Sequence, residues 1–183
     1  MSELDVLIPT YRRPAALAAT LACLACQTLP AYRVVISDQT DELDVASVPE
    51  VAAVIRLLEA RGHEVDTRRH LPRRGMAEQR AFLLAQARAR HACFLDDDVL
   101  LEPDLLERLL TTIEREGCGF VGSALIGLSY ADDHRPAEES IELWDGPVQP
   151  EQVEPGGPAW ARHRLHNAAN LYHVQRRMGI GRE

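Results

Sequence analysis

From Leu4 onward the chain alternates between short apolar runs and longer segments in which apolar positions recur at helical spacing. The short runs predict strands, because they are rich in β-branched residues and end at Pro, Asp or Gly. The longer segments predict helices, since they start near Pro or Asp and three of the four end close to Pro or Gly. The predicted strands cover 4–8, 32–37, 64–69, 91–95 and 118–126, and the predicted helices cover 14–27, 49–62, 75–90 and 104–116.

This alternation with short connections predicts an α/β fold with a mostly parallel sheet and helices on both faces. The pattern changes beyond Gly127, because residues 128–158 hold eight acidic residues against a single Arg and are rich in Pro and Gly. We therefore predict two parts. Residues 1–127 form the sheet domain, and residues 128–183 form an acidic loop region followed by a helical segment.

The composition excludes several classes of function. The chain of 183 residues carries 28 Asp and Glu against 20 basic residues, so its formal net charge is -8. Nucleic-acid binding is disfavoured, because phosphate backbones require a basic face. All the basic residues are Arg, which excludes a Schiff-base lysine and the phosphate-binding lysine of a P-loop. No apolar run approaches the ~18 residues that a membrane span needs.

The four cysteines, Cys23, Cys26, Cys93 and Cys118, do not form the paired C-x-x-C pattern of a zinc ribbon. We expect all four to be buried free thiols, because cysteine packs as a small hydrophobic residue when it has no chemical partner. Free thiols are typical of a reducing compartment, so the expected location is the cytoplasm.

Three consecutive carboxylates, Asp96, Asp97 and Asp98, directly follow the predicted strand 91–95. Such a cluster is mutually repulsive unless a cation neutralises it. In an extended loop alternate residues face the same way, so Asp96 and Asp98 are expected to approach one divalent cation together with phosphate oxygens, and Asp97 to point elsewhere. The alternative is a cap for the next helix, which begins several residues too late for that role.

Polar residues also follow the first two predicted strands, as Thr10-Tyr11-Arg12-Arg13 and as Asp38-Gln39. Since carboxyl ends of parallel strands meet at one edge, these groups are expected to lie near the three aspartates. Tyr11 could stack on a nucleobase and Asp38 could accept a hydrogen bond from a ring N–H. Taken singly, an exposed ring and a turn aspartate explain these two residues equally well.

Four segments in this order resemble family 2 glycosyltransferases of the GT-A fold: IPTYRRP at 8–14, VISDQ at 35–39, RGMAEQR at 74–80 and FLDDD at 94–98. The resemblance covers roughly residues 3–125, and HNAAN at 166–170 gives weaker support. It implies a GT-A, Rossmann-like fold and a nucleotide-sugar donor, a UDP or GDP sugar. It also implies transfer with inversion to an unknown acceptor, a saccharide, lipid or small molecule, assisted by Mg²⁺ or Mn²⁺.

The resemblance also implies roles for individual residues. The turn at Pro9-Thr10-Tyr11 and Asp38 would hold the base and ribose, and Arg80 would reach the base or the phosphates. Asp96 would contact the ribose or a metal-bound water, Asp98 would ligate the metal, and Asp97 would be a spare carboxylate. The donor-binding positions implied are Pro9, Thr10, Tyr11, Arg13, Asp38, Gly75, Arg80, Asp96 and Asp97, and the metal positions are Asp96 and Asp98.

Two departures from the family pattern matter. Arg73-Arg74 stand before Gly75, where the family usually has Asn. The second half of the family pattern, with its acceptor contacts and general base, has no match, so we expect the acceptor side to be truncated. A nucleotide-sugar-binding module without turnover is therefore the alternative function. An uncovered sheet edge would leave an apolar patch, so self-association is also expected.

The catalytic base is unassigned. Acidic residues in the loop region are candidates, but such residues are usually just solvated, and three late histidines fit an amphipathic surface helix better than a second metal site. The acidic candidates are Asp132, Asp133 and Glu142, and the histidines are His163, His166 and His173.

Overall fold

The computed structural model describes residues 3–123, 154–157 and 160. In these residues four strands alternate with four helices. They are β1 (Leu4–Thr10), α1 (Pro14–Ala25), β2 (Arg33–Asp38), α2 (Pro49–Ala60), β3 (Glu64–Arg69), α3 (Met76–Ala85), β4 (His91–Phe94) and α4 (Leu105–Glu116), with a short 3₁₀ turn at Val45–Ser47.

The strands form one all-parallel sheet in the order β3-β2-β1-β4. All seven residues of β1 are buried, because β1 pairs with β2 on one side and with β4 on the other. Alternate residues of the central strands supply two separate apolar faces. Val6 and Ile8 pack in the cluster that contains residues of α1, α2 and α4, whereas Leu7 packs with Leu83 of α3. Helices therefore cover both faces, and the predicted α/β fold is confirmed.

The chain divides into two units, Met1–Val121 and Gly122–Glu183. The first contains the sheet and all four helices. In the second, the N–H of Gly157 donates to the carbonyl of Glu154 at 3.0 Å, and the N–H of Trp160 donates to the carbonyl of Gly157 at 3.1 Å. The boundary predicted at residue 127 stays a prediction.

The predicted fifth strand is wrong over Cys118–Ser123, which the structure places in irregular backbone, while 124–126 lie outside the described residues. Gly117 ends α4 in the left-handed region with φ of 58°, and two further glycines follow within five residues. Glycine weakens a strand interior because it has no side chain to pack and loses more backbone freedom than other residues. Phe120 is 88% exposed and so contributes no strand-like packing.

The expectation that all four cysteines are buried is also wrong. All are free, but Cys26 and Cys118 are exposed and Cys23 and Cys93 are half-buried. Cys26 follows the last residue of α1 and Cys118 follows α4, so both lie at helix ends instead of on a packed stripe. Burial raises the pKa of Cys93 to about 11, so this thiol is a poor nucleophile at neutral pH.

No helix in the described part of the chain is long and apolar enough to cross a bilayer.

A buried ion pair joins the amino-terminal ends of the two central strands. Asp5 and Arg33 are direct partners in the register of β1 and β2, and Arg33 Nε donates to Asp5 Oδ1 at 3.0 Å. The backbone N–H groups of Arg88 and Ala89 donate to Asp5 Oδ2, and Arg33 Nη2 donates to the carbonyl of Gln86. The pair thus fixes the connection between α3 and β4 to the start of the sheet.

Burial alone would raise the pKa of Asp5, but the hydrogen bonds from Arg33 and from the two backbone amides hold it below its ordinary value of 3.8. The folded state therefore favours the ionised carboxylate. As the pH falls below about 4, the unfolded chain binds the proton first, so this contribution to stability is present above that pH and is lost below it.

We predict that Asp5→Asn lowers the free energy of unfolding at pH 7 by about 3–5 kcal/mol, because it leaves the Arg33 charge buried without its partner. The variant should also lose less stability than the native chain when the pH is lowered from 4 to 3. Urea unfolding followed by circular dichroism at these pH values measures both effects. Asp66→Asn, which removes a half-buried carboxylate 3.6 Å from Arg33, is the control with a much smaller expected loss. Equal stability of Asp5→Asn and the native chain would contradict the prediction.

Candidate functional site

The polar groups at the strand ends meet in one cleft with a volume of about 350 Å³. The cleft lies where the carboxyl ends of β1 and β2, the loop after β4 and the start of α3 converge, which is the expected place for a ligand on a parallel sheet. Its lining consists of Pro9, Thr10, Tyr11, Arg13, Gln39, Arg73, Gly75, Met76, Gln79, Asp96, Asp97 and Asp98.

The three aspartates alternate in exposure along the loop after β4. Asp96 and Asp98 are exposed, with side chains 49% and 43% accessible, whereas Asp97 is buried. Each exposed carboxylate has an arginine partner: Arg80 Nη2 donates to Asp96 Oδ1 at 2.7 Å, and Arg13 Nη2 donates to Asp98 Oδ2 at 2.7 Å. Arginine therefore neutralises the repulsion between these carboxylates in the protein alone.

Asp97 connects the loop to the end of β1. Its Oδ2 accepts a hydrogen bond from Thr10 Oγ1 at 2.7 Å, and Arg13 Nη1 lies 3.3 Å from its Oδ1. Burial raises the pKa of the Asp97 carboxyl above its ordinary value, and the negative charges of Asp98 and Asp96 act in the same direction. The hydrogen bond from Thr10 and the charge of Arg13 oppose this rise only in part.

Two polar side chains, one on α1 and one just after it, hold the backbone beyond the aspartates. Thr20 Oγ1 donates to the carbonyl of Val99 and accepts from its N–H. Gln27 Nε2 donates to the carbonyl of Glu102 at 2.8 Å, and Gln27 Oε1 accepts from the N–H of Leu106 at 3.0 Å. The segment 99–106 is thereby fixed against α1, which determines where the aspartate loop lies.

Gln79 of α3 ties the ends of the two central strands together. Its Nε2 donates to the carbonyl of Thr10 at 3.1 Å and to that of Ser37 at 2.6 Å, inside the protein. Gly75, the residue before α3, has φ of 98°, a backbone conformation that favours glycine and brings the start of the helix to the cleft.

The environment of Asp38 differs from the one expected of a carboxylate that binds the nucleobase. It is fully buried and does not line the cleft. Its Oδ1 accepts from the N–H of Thr40 at 2.9 Å, and its Oδ2 accepts from the N–H of Val45 at 3.0 Å. Asp38 therefore shapes the turn after β2, and the next residue, Gln39, is the one that lines the cleft.

Tyr11 lies at the cleft under a guanidinium group. The Cζ atom of Arg73 is 4.0 Å from the centre of the Tyr11 ring, and that of Arg12 is 5.1 Å away. Arg12 has φ of 56°, which is uncommon for a residue other than glycine, and its N–H donates to Thr40 Oγ1 at 2.9 Å. The turn that carries Tyr11 is thus held to the turn after β2.

Most of the residues singled out in the sequence come together at this cleft, and two do not line it: Asp38, and Arg80, which reaches Asp96 from α3. Gln39, which was expected at this edge without an assigned role, also lines the cleft, and sequence reasoning missed three lining residues, Arg73, Met76 and Gln79. Arg73 had a signal, because an Arg-Arg pair replaces the usual Asn before Gly75. Candidates that lie outside the described residues are Asp132, Asp133, Glu142, His163, His166 and His173.

Among the described residues that line the cleft, carboxylate oxygens, the anionic ligands that Mg²⁺ and Mn²⁺ prefer, come from the aspartate loop alone. The described residues contain no group of three or more His, Cys, Asp or Glu side chains arranged to hold a metal ion. A cation held by one or two carboxylates plus phosphate oxygens does not require such a group.

A family model, Glycosyl transferase family 2, matches residues 5–170, which is most of the chain. Comparison with curated protein sequences found no significant match.

Solved structures with the same fold include two glycosyltransferases. TarS 1–349 of S. aureus in complex with UDP-GlcNAc has 20% identity and a TM-score of 0.52, and the match covers 64% of this chain and 32% of that protein. The mannosyltransferase PcManGT from Pyrobaculum calidifontis in complex with GDP-Man and Mn²⁺ has 22% identity and a TM-score of 0.50, with coverage of 61% and 32%. At these identities the likeness establishes the GT-A fold alone. The matched part spans about a third of those proteins.

We predict that Asp97→Asn raises the free energy of unfolding at pH 7 when no divalent metal is present. The raised pKa of Asp97 means that the folded chain prefers the protonated carboxyl, so stability falls as the pH rises through that pKa. Asparagine is neutral and its Oδ1 still accepts from Thr10. The gain should disappear as the pH is lowered towards 4, where the native carboxyl becomes protonated.

Urea unfolding at pH 4.5 and pH 7 measures this difference. Asp104→Asn is the matched control, because it changes an exposed carboxylate outside the cleft. If Asp97→Asn is less stable than the native chain at pH 7, attraction to Arg13 outweighs burial and the prediction is wrong.

Proposed function

The chain belongs to glycosyl transferase family 2, and from that premise we propose that it transfers a sugar from a UDP or GDP sugar to an acceptor. The observation that carries the proposal is the cleft itself, where Tyr11, Arg13 and two exposed aspartates surround one space. The similar structures are complexes with UDP-GlcNAc and with GDP-Man, which supports a nucleotide sugar as the donor class.

Asp96 and Asp98 are proposed to hold Mg²⁺ or Mn²⁺ together with the donor diphosphate. Both side chains are about half exposed and line the cleft, and both offer the hard oxygen ligands that these cations prefer. When bound, the cation would neutralise the charge that develops on the leaving nucleoside diphosphate. The similar structure with GDP-Man and Mn²⁺ supports this use of a divalent metal.

The arginines that pair with these aspartates would then interact with the diphosphate. Arg13 contacts Asp97 and Asp98, and Arg80 contacts Asp96, so both guanidinium groups lie next to the proposed metal ligands. Arginine suits this role because its planar group binds carboxylate and phosphate oxygens with the same geometry.

Tyr11, Thr10 and Gln39 are proposed to contact the base and ribose. Tyr11 offers a ring face for stacking, although Arg73 covers that ring in the protein alone and would have to share it or move. Asp38 would contribute indirectly, because its hydrogen bonds to Thr40 and Val45 hold the turn that presents Gln39.

We propose transfer with inversion, in which the acceptor hydroxyl attacks the anomeric carbon directly and the nucleoside diphosphate leaves from the opposite face. This step needs a base that removes the acceptor proton. The base and the acceptor stay unassigned. We propose that residues 1–127 supply the donor site and 128–183 belong to the acceptor side.

We predict that Asp98→Asn weakens Mn²⁺-dependent binding of UDP or GDP by at least about tenfold, because one anionic oxygen ligand of the metal is replaced by a neutral amide. Isothermal titration calorimetry with and without Mn²⁺ measures the effect. Asp104→Asn is the matched control and should bind like the native chain. Native-like, Mn²⁺-dependent binding by Asp98→Asn would rule out the proposed metal site.

Turnover separates a transferase from a binding module. We expect the native chain with Mn²⁺ to release UDP or GDP from at least one nucleotide sugar. Without an acceptor this release is slow hydrolysis of the donor. Release by Asp98→Asn should be at least about tenfold slower. Release is measured with a coupled nucleotide assay on UDP-glucose, UDP-GlcNAc and GDP-mannose. Tight binding of all three without release would favour the binding module.

A further inference from the structure

Gln39 is a nearly inaccessible side chain that nevertheless forms part of the cleft wall, with 1% of its surface exposed. Its Nε2 lies 3.4 Å from Oε2 of Glu78, a residue in the first turn of α3. An ionised carboxylate can only accept hydrogen bonds, so the amide end of Gln39 that faces Glu78 must be the NH₂ group. Among the described residues the side-chain hydrogen bond of Gln39 is made by Nε2, and its carbonyl oxygen, Oε1, accepts none.

Glu78 is itself held in place. Nε2 of His70 lies 2.8 Å from Oε1 and 2.9 Å from Oε2 of Glu78, and this nitrogen must carry the proton because the carboxylate only accepts. The ring of His70 stacks on Phe82 with centroids 3.8 Å apart, and its backbone N–H donates to the carbonyl of Asp38 at 2.8 Å. These contacts anchor His70, one of the two partners of the carboxylate, to α3 and to the end of β2.

We propose that Glu78 and His70 are positioning residues that fix the amide of Gln39 with its carbonyl oxygen towards the cleft, and so select the nucleobase of the donor. A fixed acceptor favours a base with a ring N–H, which uracil has at N3 and guanine at N1. Cytosine and adenine carry a bare ring nitrogen at the corresponding position, whose lone pair would face the oxygen. The inference rests on the proposed function, because it concerns the donor of that same cleft.

Glu78 matters because the side-chain amide of a glutamine can otherwise flip, which exchanges the positions of its oxygen and its NH₂ group. Its oxygen and NH₂ group have nearly the same shape, so a free Gln39 could present its acceptor to uracil or its donor to cytosine at little energetic difference. Rejection of the wrong base requires that the unfavourable orientation be costly, and that cost is the loss of the hydrogen bond to Glu78.

The test is titration calorimetry with UDP, CDP, GDP and ADP in the presence of Mn²⁺, on the native chain, Glu78→Ala and Glu78→Gln. UDP and CDP, like GDP and ADP, are matched in size and charge, so their ratio isolates the hydrogen-bond pattern of the base. We expect the native chain to prefer UDP over CDP, or GDP over ADP, by at least about tenfold.

In Glu78→Ala the preference for UDP over CDP, or for GDP over ADP, should shrink to within about threefold, because the amide of Gln39 is then free to flip. Glu78→Gln keeps an oxygen acceptor and should recover a larger ratio than Glu78→Ala. A merely structural role for Glu78 would instead weaken all four nucleotides alike. Glu50→Ala controls for the loss of an acidic residue from the first turn of a helix, since Glu50 has the same place in α2, and it should keep the native ratio.

Three results would overturn the inference alone: equal affinity within both pairs for the native chain, preference for CDP or ADP, or an unchanged ratio in Glu78→Ala with its unfolding midpoint intact. If the native chain binds none of the four nucleotides, the proposed function fails and the inference fails with it.

Discussion

The site depends on the position of β1 in the middle of the sheet. Because β1 pairs with β2 on one side and with β4 on the other, the residues after all three strands must emerge at one edge. The contact between Thr10 and Asp97 closes this edge, since it joins residues that are 87 positions apart in the chain. The residues that line the cleft lie at these strand ends, on the loop after β4 and at or just before the start of α3. The order of the strands therefore largely determines the geometry of the cleft.

Electrostatics then determine what the cleft can accept. Three adjacent aspartates would repel one another, and the protein separates them by exposing Asp96 and Asp98 while burying Asp97. The chain has no lysine, so arginine provides every compensating charge from the side chains, and its planar group allows Arg13 to contact two carboxylates at once. The burial of Asp97 is unfavourable for its charge, and the contacts with Thr10 and Arg13 reduce that cost.

The sequence predicted the layers of the fold and the aspartate loop, because both follow from local pattern: apolar periodicity for the elements, and a run of carboxylates directly after a short apolar run. The sequence was less informative about which side chains contact one another and which face the cleft. Asp38 ends β2 and Gln39 follows it, and only the turn at Thr40 and Val45 decides which of them bonds to backbone and which lines the cleft. The strand expected from Cys118 was wrong over 118–123, because the glycines at 117, 119 and 122 disfavour a strand despite the apolar composition of the segment.

Arg13 makes the cleft self-neutralising, and this has a consequence for the order of events during binding. In the protein alone its guanidinium already contacts Asp98, with Arg13 Nη2 2.7 Å from Asp98 Oδ2. A free metal ion has to compete with this internal cation, whereas a metal that arrives already bound to a diphosphate brings a new anion for Arg13 to contact. At the proposed metal site, entry of metal and diphosphate together leaves fewer charges unpaired than entry of either alone, so we expect the affinities for metal and nucleotide to be cooperative.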